Sequence, residues 1–355
     1  MEDGRLVVAP TRTASRSGGD PSDPAPDTLT VAATFFDPED GAVVDEVVVG
    51  DTIEGVASGS SVAVSPDRSK VAVTSGLATT VLDPRSREVL ATVVLPPTGD
   101  VDAHGEPLPA QVVWCAGWTP DGSRLLLGAE GSVQSSTGAS LVVVDAVTWE
   151  VERRLDIGSA QVMEASPDGR VLAVASAAEP VLHVLDAATL ELRRTVPLGQ
   201  GDLAYDLSFS PDGRYLAAGG LRGLLHVLDT TTWQPLAGPA RVHPEVLFQV
   251  EWLSGRTIAT SGIDETVTLY DVPRGLVRAR LPASSEAGQG YTHIAPGPVE
   301  EVIALSGERD GRTYPLDPAV WLAEACAVAG RDLTETEWSR YLPDRPYEQT
   351  CTDLG

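Results

Sequence analysis

Chemistry in this chain would have to be built from five histidines, three cysteines and 51 carboxylates. The histidines are His104, His183, His226, His243 and His293. His183 and His226 sit in the matching contexts Val-Leu-His-Val-Leu-Asp and Leu-Leu-His-Val-Leu-Asp. Repetition explains that pair without a metal, because zinc needs three or four converging ligands. The cysteines are Cys115, Cys326 and Cys351, with no Cys-x-x-Cys or His-x-x-x-His spacing. No Gly-x-Ser-x-Gly elbow occurs, and no motif surrounds Cys115. The single lysine, Lys70, has no glycine-rich approach, so no phosphate loop is present. Carboxylates are too common for any one acid/base pair to stand out. These residues imply no catalytic, metal or cofactor site.

The elements that would position any site repeat along the chain. A β-rich run closing on an apolar residue and Asp recurs at Phe36-Asp37, Leu82-Asp83, Val144-Asp145, Leu185-Asp186, Leu228-Asp229, Tyr270-Asp271 and Leu316-Asp317. Most intervals are about 41 to 46 residues, the length of a four-stranded propeller blade. A second marker runs in phase: Ser65-Pro66-Asp67, Thr119-Pro120-Asp121-Gly122, Ser166-Pro167-Asp168-Gly169 and Ser210-Pro211-Asp212-Gly213. Proline presets φ and Asp-Gly makes a compact reversal, so each is a turn between two strands. The unit reads strand, turn, strand, link, strand ending in Asp, turn, strand. One such sheet cannot bury both faces alone, and radial stacking buries them. Seven markers predict an all-β, seven-bladed propeller over 1–317.

The repeat resembles the WD40 family. Repeat six is the nearest match, with His243 at the family's Gly-His histidine and Ile258–Gly262 as the second strand. Asp264 matches the turn aspartate, and Tyr270-Asp271 stands for Trp-Asp. The resemblance implies a structural hydrogen-bond network among such a His, Asp, Ser/Thr and Trp. Repeat five has Leu221-Arg222-Gly223 at the turn and lacks the motif.

Past Asp317 the pattern changes. Trp321, Leu322, Ala325 and Val328 have helical spacing over Ala319–Ala329, and Gly330 is a stop. Thr334 with Glu337 reads as a capping box opening a second short helix through Trp338 and Tyr341. A short two-helix tail, 318–355, is therefore expected to pack on the propeller. Its residues Trp321, Cys326, Trp338 and Cys351, with Gly330–Thr334 and Pro346-Tyr347, resemble the end of bacterial WD40 proteins of the STAND class. In that class a propeller follows a nucleotide-binding switch module and serves as the sensor. Cys326 and Cys351 read either as two small buried residues or as a disulfide pinning the tail.

Three further expectations concern the ends and the rim. Residues 1–8 read as the turn and second strand of repeat one, and repeat seven runs into helix after its third strand. An upstream segment of about twenty residues would supply both missing strands. Residues 11–28, rich in Ser, Pro, Asp and Gly, read as a flexible insertion. Trp114, Tyr205 and Phe248 stand four residues before Trp118, Phe209 and Trp252, with Tyr291 nearby in repeat seven. They read as partner-binding anchors on the channel rim or as packing between blades.

The formal net charge is −26 with an isoelectric point near 4.4. That field disfavours nucleic acid and anionic membrane and favours a protein or peptide partner that is basic on its contacting side. No signal peptide or membrane-length apolar run is seen, and the few cysteines suit the cytoplasm. The resulting expectation is a non-catalytic scaffold, the sensor portion of a larger bacterial regulator. The alternative is a propeller enzyme of the lactonase or hydrolase kind.

Overall fold

The computed structural model describes residues 7–15, 28–37, 43–52, 61–97, 110–130, 140–158, 160–282, 292–296, 301–306 and 310–351. Their strands form seven separate antiparallel sheets. Sheet one holds β1 (Val7–Ser15), β2 (Thr28–Phe36) and β3 (Val43–Thr52). Sheet two holds β4 (Val62–Val64), β5 (Val71–Thr74), β6 (Thr79–Leu82) and β7 (Val89–Val93). Sheet three holds β8 (Val112–Trp118), β9 (Arg124–Glu130), β10 (Ser140–Asp145) and β11 (Val151–Leu155). Sheet four holds β12 (Ala160–Ala165), β13 (Val171–Ser176), β14 (Val181–Asp186) and β15 (Leu192–Pro197). Sheet five holds β16 (Ala204–Phe209), β17 (Tyr215–Gly220) and β18 (Leu224–Asp229), with β19 (Gln234–Pro235) and β20 (Ala240–Arg241) both paired to β18. Sheet six holds β21 (Leu247–Ser254), β22 (Thr257–Gly262), β23 (Thr266–Asp271) and β24 (Leu276–Pro282). Sheet seven holds β25 (Thr292–Pro296), β26 (Glu301–Ser306) and β27 (Asp310–Pro315).

Two polar turns explain why the markers recur. In the first hairpin, the Ser65, Thr119, Ser166 and Ser210 hydroxyls each donate to the carboxylate two residues on, at 2.6–2.7 Å. Each hydroxyl also accepts a backbone N–H five residues ahead. In the last hairpin, Asp83, Asp145, Asp186 and Asp229 each accept the backbone N–H groups two and three residues on. Asp317 holds the corresponding place but accepts from Ala319 N at 2.8 Å and caps a helix. One side-chain chemistry thus makes either a hairpin or a helix start.

The sheets stack face to face. The first strands β4, β8, β12, β16, β21 and β25 pack one against the next, so they converge on a common axis. One buried cluster joins Ala173, Leu182 and Val184 of sheet four to Leu207, Phe209 and Leu216 of sheet five, closed by Trp233. Full burial of each large apolar side chain stabilises by ~1.5–3 kcal/mol. From sheet two onward, the second strand also packs on the first strand of the next sheet, as β5 on β8 and β17 on β21. The strand β1 packs on β4 in the same way. It therefore holds a second-strand place, and sheet one shows its second, third and fourth strands. Sheet seven shows its first three.

Residues 11–15 and 28, expected within a flexible insertion at 11–28, are strand instead. β1 continues to Ser15 and β2 starts at Thr28, in unbroken register from Val7↔Phe36 to Ser15↔Thr28. Pairing satisfies both backbones there, whatever the small polar side chains prefer. Residues 16–27 lie outside the described residues.

The tail forms α1 (Pro318–Ala329) and α2 (Glu335–Tyr341). Gly330 closes α1 in the left-handed conformation at φ 65°. Thr334 and Glu337 make a reciprocal capping box on α2, and Arg331 pairs with Glu337 at 2.8 Å. Trp321 packs on a cluster that includes Leu269 and Ile294, which seats α1 against sheets six and seven. Cys326 and Cys351 form a disulfide with Cα atoms 5.4 Å apart. The Asp332 carboxylate accepts from Thr350 N and Cys351 N, both at 2.8 Å, and holds this segment beside α1. Trp338 is buried and its indole donates to Arg345 O at 3.0 Å.

Candidate interaction site

The first strands carry the distinctive side chains, and a shared irregularity aims them. Register shifts near the start of each of β8, β12, β16 and β21, leaving Trp114, Gln161, Tyr205 and Phe248 as the extra residue of a β-bulge. The bulge turns strict alternation into apolar positions at i, i+3 and i+5. Ala204, Leu207 and Phe209 share one cluster, and so do Leu247, Val250 and Trp252. The opposite side of each strand therefore presents Tyr205, Asp206 and Ser208, and Phe248, Gln249 and Glu251. Bulges commonly re-aim side chains at barrel rims.

That side stitches several of the sheets to the next. Asp206 Oδ2 accepts from Val250 N at 2.8 Å, and Ser208 Oγ accepts from Trp252 N at 3.2 Å. The Gln249 amide donates to Ile294 O and accepts from Ile294 N, both at 2.8 Å. Ser61 Oγ accepts from Ala116 N at 2.9 Å. Cys115 takes the same kind of place, its thiol reaching Ala160 O at 3.5 Å. Burial pushes that thiol up to about 12, which leaves it a packing group.

The aromatic residues separate into two groups. The Tyr205 and Phe248 rings meet edge to face with centroids 6.1 Å apart, and Tyr205 is 37% exposed. Trp114 instead packs with Leu77 and Val112. Gln161 occupies the intervening bulge, so the expected cluster of three aromatics is a pair and a separate Trp. The polar Gln161 gave no aromatic signal. Its place was legible only from the apolar spacing Ala160, Met163, Ala165. Tyr291 lies outside the described residues.

Three successive first strands, each packed on the next, carry three carboxylates whose charges act on one another. They are Glu164 on β12, Asp206 on β16 and Glu251 on β21. Glu164 is solvent-accessible although protein surrounds it. Burial, then the charges of Asp206 and Glu251, pushes Glu164 up to about 8. Burial raises Asp206 to about 7 despite its backbone hydrogen bonds. Burial and the Asp206 charge raise Glu251 to about 7. Among the described residues, no three His, Cys, Asp or Glu side chains are arranged to hold a metal ion.

Two of the described histidines, His243 and His226, anchor loops. His243 is buried, with Nδ1 2.9 Å from Asp264 Oδ1 and Nε2 2.9 Å from Thr260 Oγ1. Thr266 Oγ1 also donates to Asp264 at 2.9 Å. Burial lowers the His243 pKa against the pull of Asp264. Tyr270 packs among Val250, Trp252 and Ile258, and Asp271 caps the next turn at Arg274 N, 3.0 Å. Sheet five has a different network, which its motif had concealed. Asp202 is 1% exposed, and its Oδ2 lies 3.1 Å from His226 Nε2 while Oδ1 accepts from Arg222 N. His183 instead bonds Thr195 Oγ1 within sheet four.

The comparisons agree with this architecture. The family profile described as "WD domain, G-beta repeat" matches residues 194–229, which span β15 to β18. A "WD repeat-containing protein SL1-17" from Schistosoma mansoni is 28% identical over 148 residues. That match covers 41% of this chain and about half, 48%, of the relative. A chain in the "Crystal Structure of Mitotic Checkpoint Complex" superposes with a TM-score of 0.57 at 18% identity, covering 73% of this chain and 76% of that one. No helix among the described residues is long and apolar enough to cross a membrane. With a matched repeat, blade-like sheets and this likeness of fold, the chain carries a WD40 repeat over residues 194–229 and has a propeller-like fold.

Proposed function

We propose that this protein is a non-catalytic interaction scaffold built on a closed seven-bladed ring, and that it binds a protein or peptide partner at the rim around Tyr205 and Phe248. WD40-repeat proteins generally act as protein-interaction scaffolds. One observation carries the location: two β-bulges in neighbouring sheets turn an adjoining pair of aromatic rings out of the packed clusters. Aromatic residues offer rigid contact area at low entropic cost. The net charge of −26 favours a partner basic on its contacting side. The tail with Trp321, Cys326, Trp338 and Cys351 supports placing the scaffold as the sensor portion of a bacterial regulator of the STAND class, tethered to an NTPase module.

The test is affinity isolation with the full chain and with the double variant Tyr205→Ala/Phe248→Ala. A partner held by the parent and lost from a still-folded variant, weakened by more than about 2 kcal/mol, supports the rim. A partner held equally by both places the contact elsewhere. Recovery of none above background by either chain removes the scaffold reading.

A further inference from the structure

We infer that the Tyr205–Phe248 rim, with Glu164, Asp206 and Glu251 on three successive first strands beside it, receives an arginine side chain from the partner. The inference rests on the scaffold reading and specifies what the rim selects. Two features of different origin coincide. The bulges put Tyr205 next to Asp206, and Phe248 on the same side of its strand as Glu251. The packing of β12 on β16 and of β16 on β21 then adds Glu164. Aromatic faces attract a cation, and a planar guanidinium stacks on rings while its N–H groups fork toward carboxylates.

Charge complementarity fixes the sign of the guest. The charges that act on Glu164 are those of Asp206 and Glu251, and the charge that acts on Glu251 is that of Asp206. Three crowded acids repel one another when ionised, and a cation among them relieves that repulsion. Asp206 already accepts from Val250 N, so Glu164 and Glu251 are the groups with more freedom to meet a guest. Arginine suits the place better than lysine because one flat group can contact both the rings and the acids.

The experiment selects 12-residue peptides from a random displayed library on the full chain, then measures affinity of the recovered peptides by calorimetry. The expected peptides share an arginine. Its replacement by citrulline, which keeps the shape and removes the charge, should weaken binding about tenfold. The isosteric double variant Glu164→Gln/Glu251→Gln should do the same with its thermal midpoint preserved or raised. Tyr205→Ala/Phe248→Ala should weaken binding about thirtyfold or more. Peptides that need the two rings but tolerate citrulline, or that prefer lysine, overturn the arginine assignment and leave the scaffold reading standing. Peptides indifferent to all four substitutions overturn the site. If the library yields no binder, the assignment and the scaffold reading both fail.

Discussion

His226 Nε2 lies 3.1 Å from Asp202 Oδ2 in sheet five, with both side chains buried. In sheet six the matching loop carries an imidazole instead, His243, which meets Asp264 at 2.9 Å. The loop entering each sheet thus holds one half of an acid–imidazole pair, and which half differs. A glycine at the end of the second strand makes room in both. A Cβ at Gly220 would lie 2.0 Å from Asp202 Oδ2, and one at Gly262 would lie 2.5 Å from His243 Nδ1.

Asp202→Ala would leave His226 and the Arg222 N–H without their buried acceptor. The expected cost is about 2–3 kcal/mol, read by denaturant unfolding. Gly220→Ala should also destabilise, through the clash with the same carboxylate. The double variant should cost less than the two singles added, because one change removes the other's clash partner. Strict additivity would show that the two positions do not communicate.

Stability should respond to pH through the carboxylates of the first strands. Glu164, Asp206 and Glu251 are raised on folding to about 8, 7 and 7, mainly by burial. The native state therefore binds these protons more tightly than the unfolded chain does. Their contribution is greatest below the unfolded values near ~4 and declines as pH rises toward about 8. Asp67, Asp121, Asp168 and Asp212 are lowered, first by hydroxyl donors, and work in the other direction. Their contribution is present above ~4 and is lost on further acidification. Maximal stability is expected near pH ~5. Glu164→Gln/Glu251→Gln should regain about 1–2 kcal/mol at pH 8, after discounting for screening by water, and much less at pH 5. Equal gains at the two pH values would count against ionisation as the cause.

Two aromatic residues on adjoining sheets should differ sharply in structural weight. Trp252 is 4% exposed and stacks on Tyr215 with centroids 6.1 Å apart. Trp252→Ala should cost about 3–5 kcal/mol. Tyr205→Ala, at a partly exposed bulge, should cost under about 1 kcal/mol. A large loss of thermal stability at Tyr205 would make it a packing residue.

The first hairpin of sheet two has Arg68 where its counterparts have Gly122, Gly169 and Gly213, and Arg68 adopts φ 57°. A side chain in that left-handed conformation costs about 1 kcal/mol relative to glycine. Arg68→Gly should therefore stabilise by roughly that amount, measured as a shift in denaturant midpoint at constant slope. Loss of stability would show that the Arg68 side chain contributes more than its backbone costs.

The disulfide should govern the tail rather than the sheets. Cys351→Ser removes a cross-link spanning 25 residues, which the chain-entropy account values at about 3.5 kcal/mol. Asp332 would still hold Thr350 and the following N–H, so local opening rather than complete release is expected. Trypsin should then cut faster at Arg340, while the main thermal transition moves little. Unchanged cleavage would assign the tail's order to Asp332 and the capping box.

The repeat spacing, the two kinds of polar turn and the capped tail helices were all readable along the chain, since each is made by residues a few positions apart. Asp229 and Asp317 show how local that information is: the same side chain closes a hairpin or starts a helix according to the next few residues. The pairing of His243 with Asp264 was likewise readable through resemblance, because the motif keeps its order within one repeat. What lay beyond the linear pattern depended on contacts between repeats. The Asp202–His226 pair has no motif, and Gln161 shares its bulge position with Trp114, Tyr205 and Phe248 without sharing their chemistry. The meeting of Glu164, Asp206 and Glu251 is set by how three sheets stack. A strand's own alternation specifies which residues share a face, but only the packing of one first strand on the next specifies which faces meet, and one extra residue in a bulge reassigns every side chain before it.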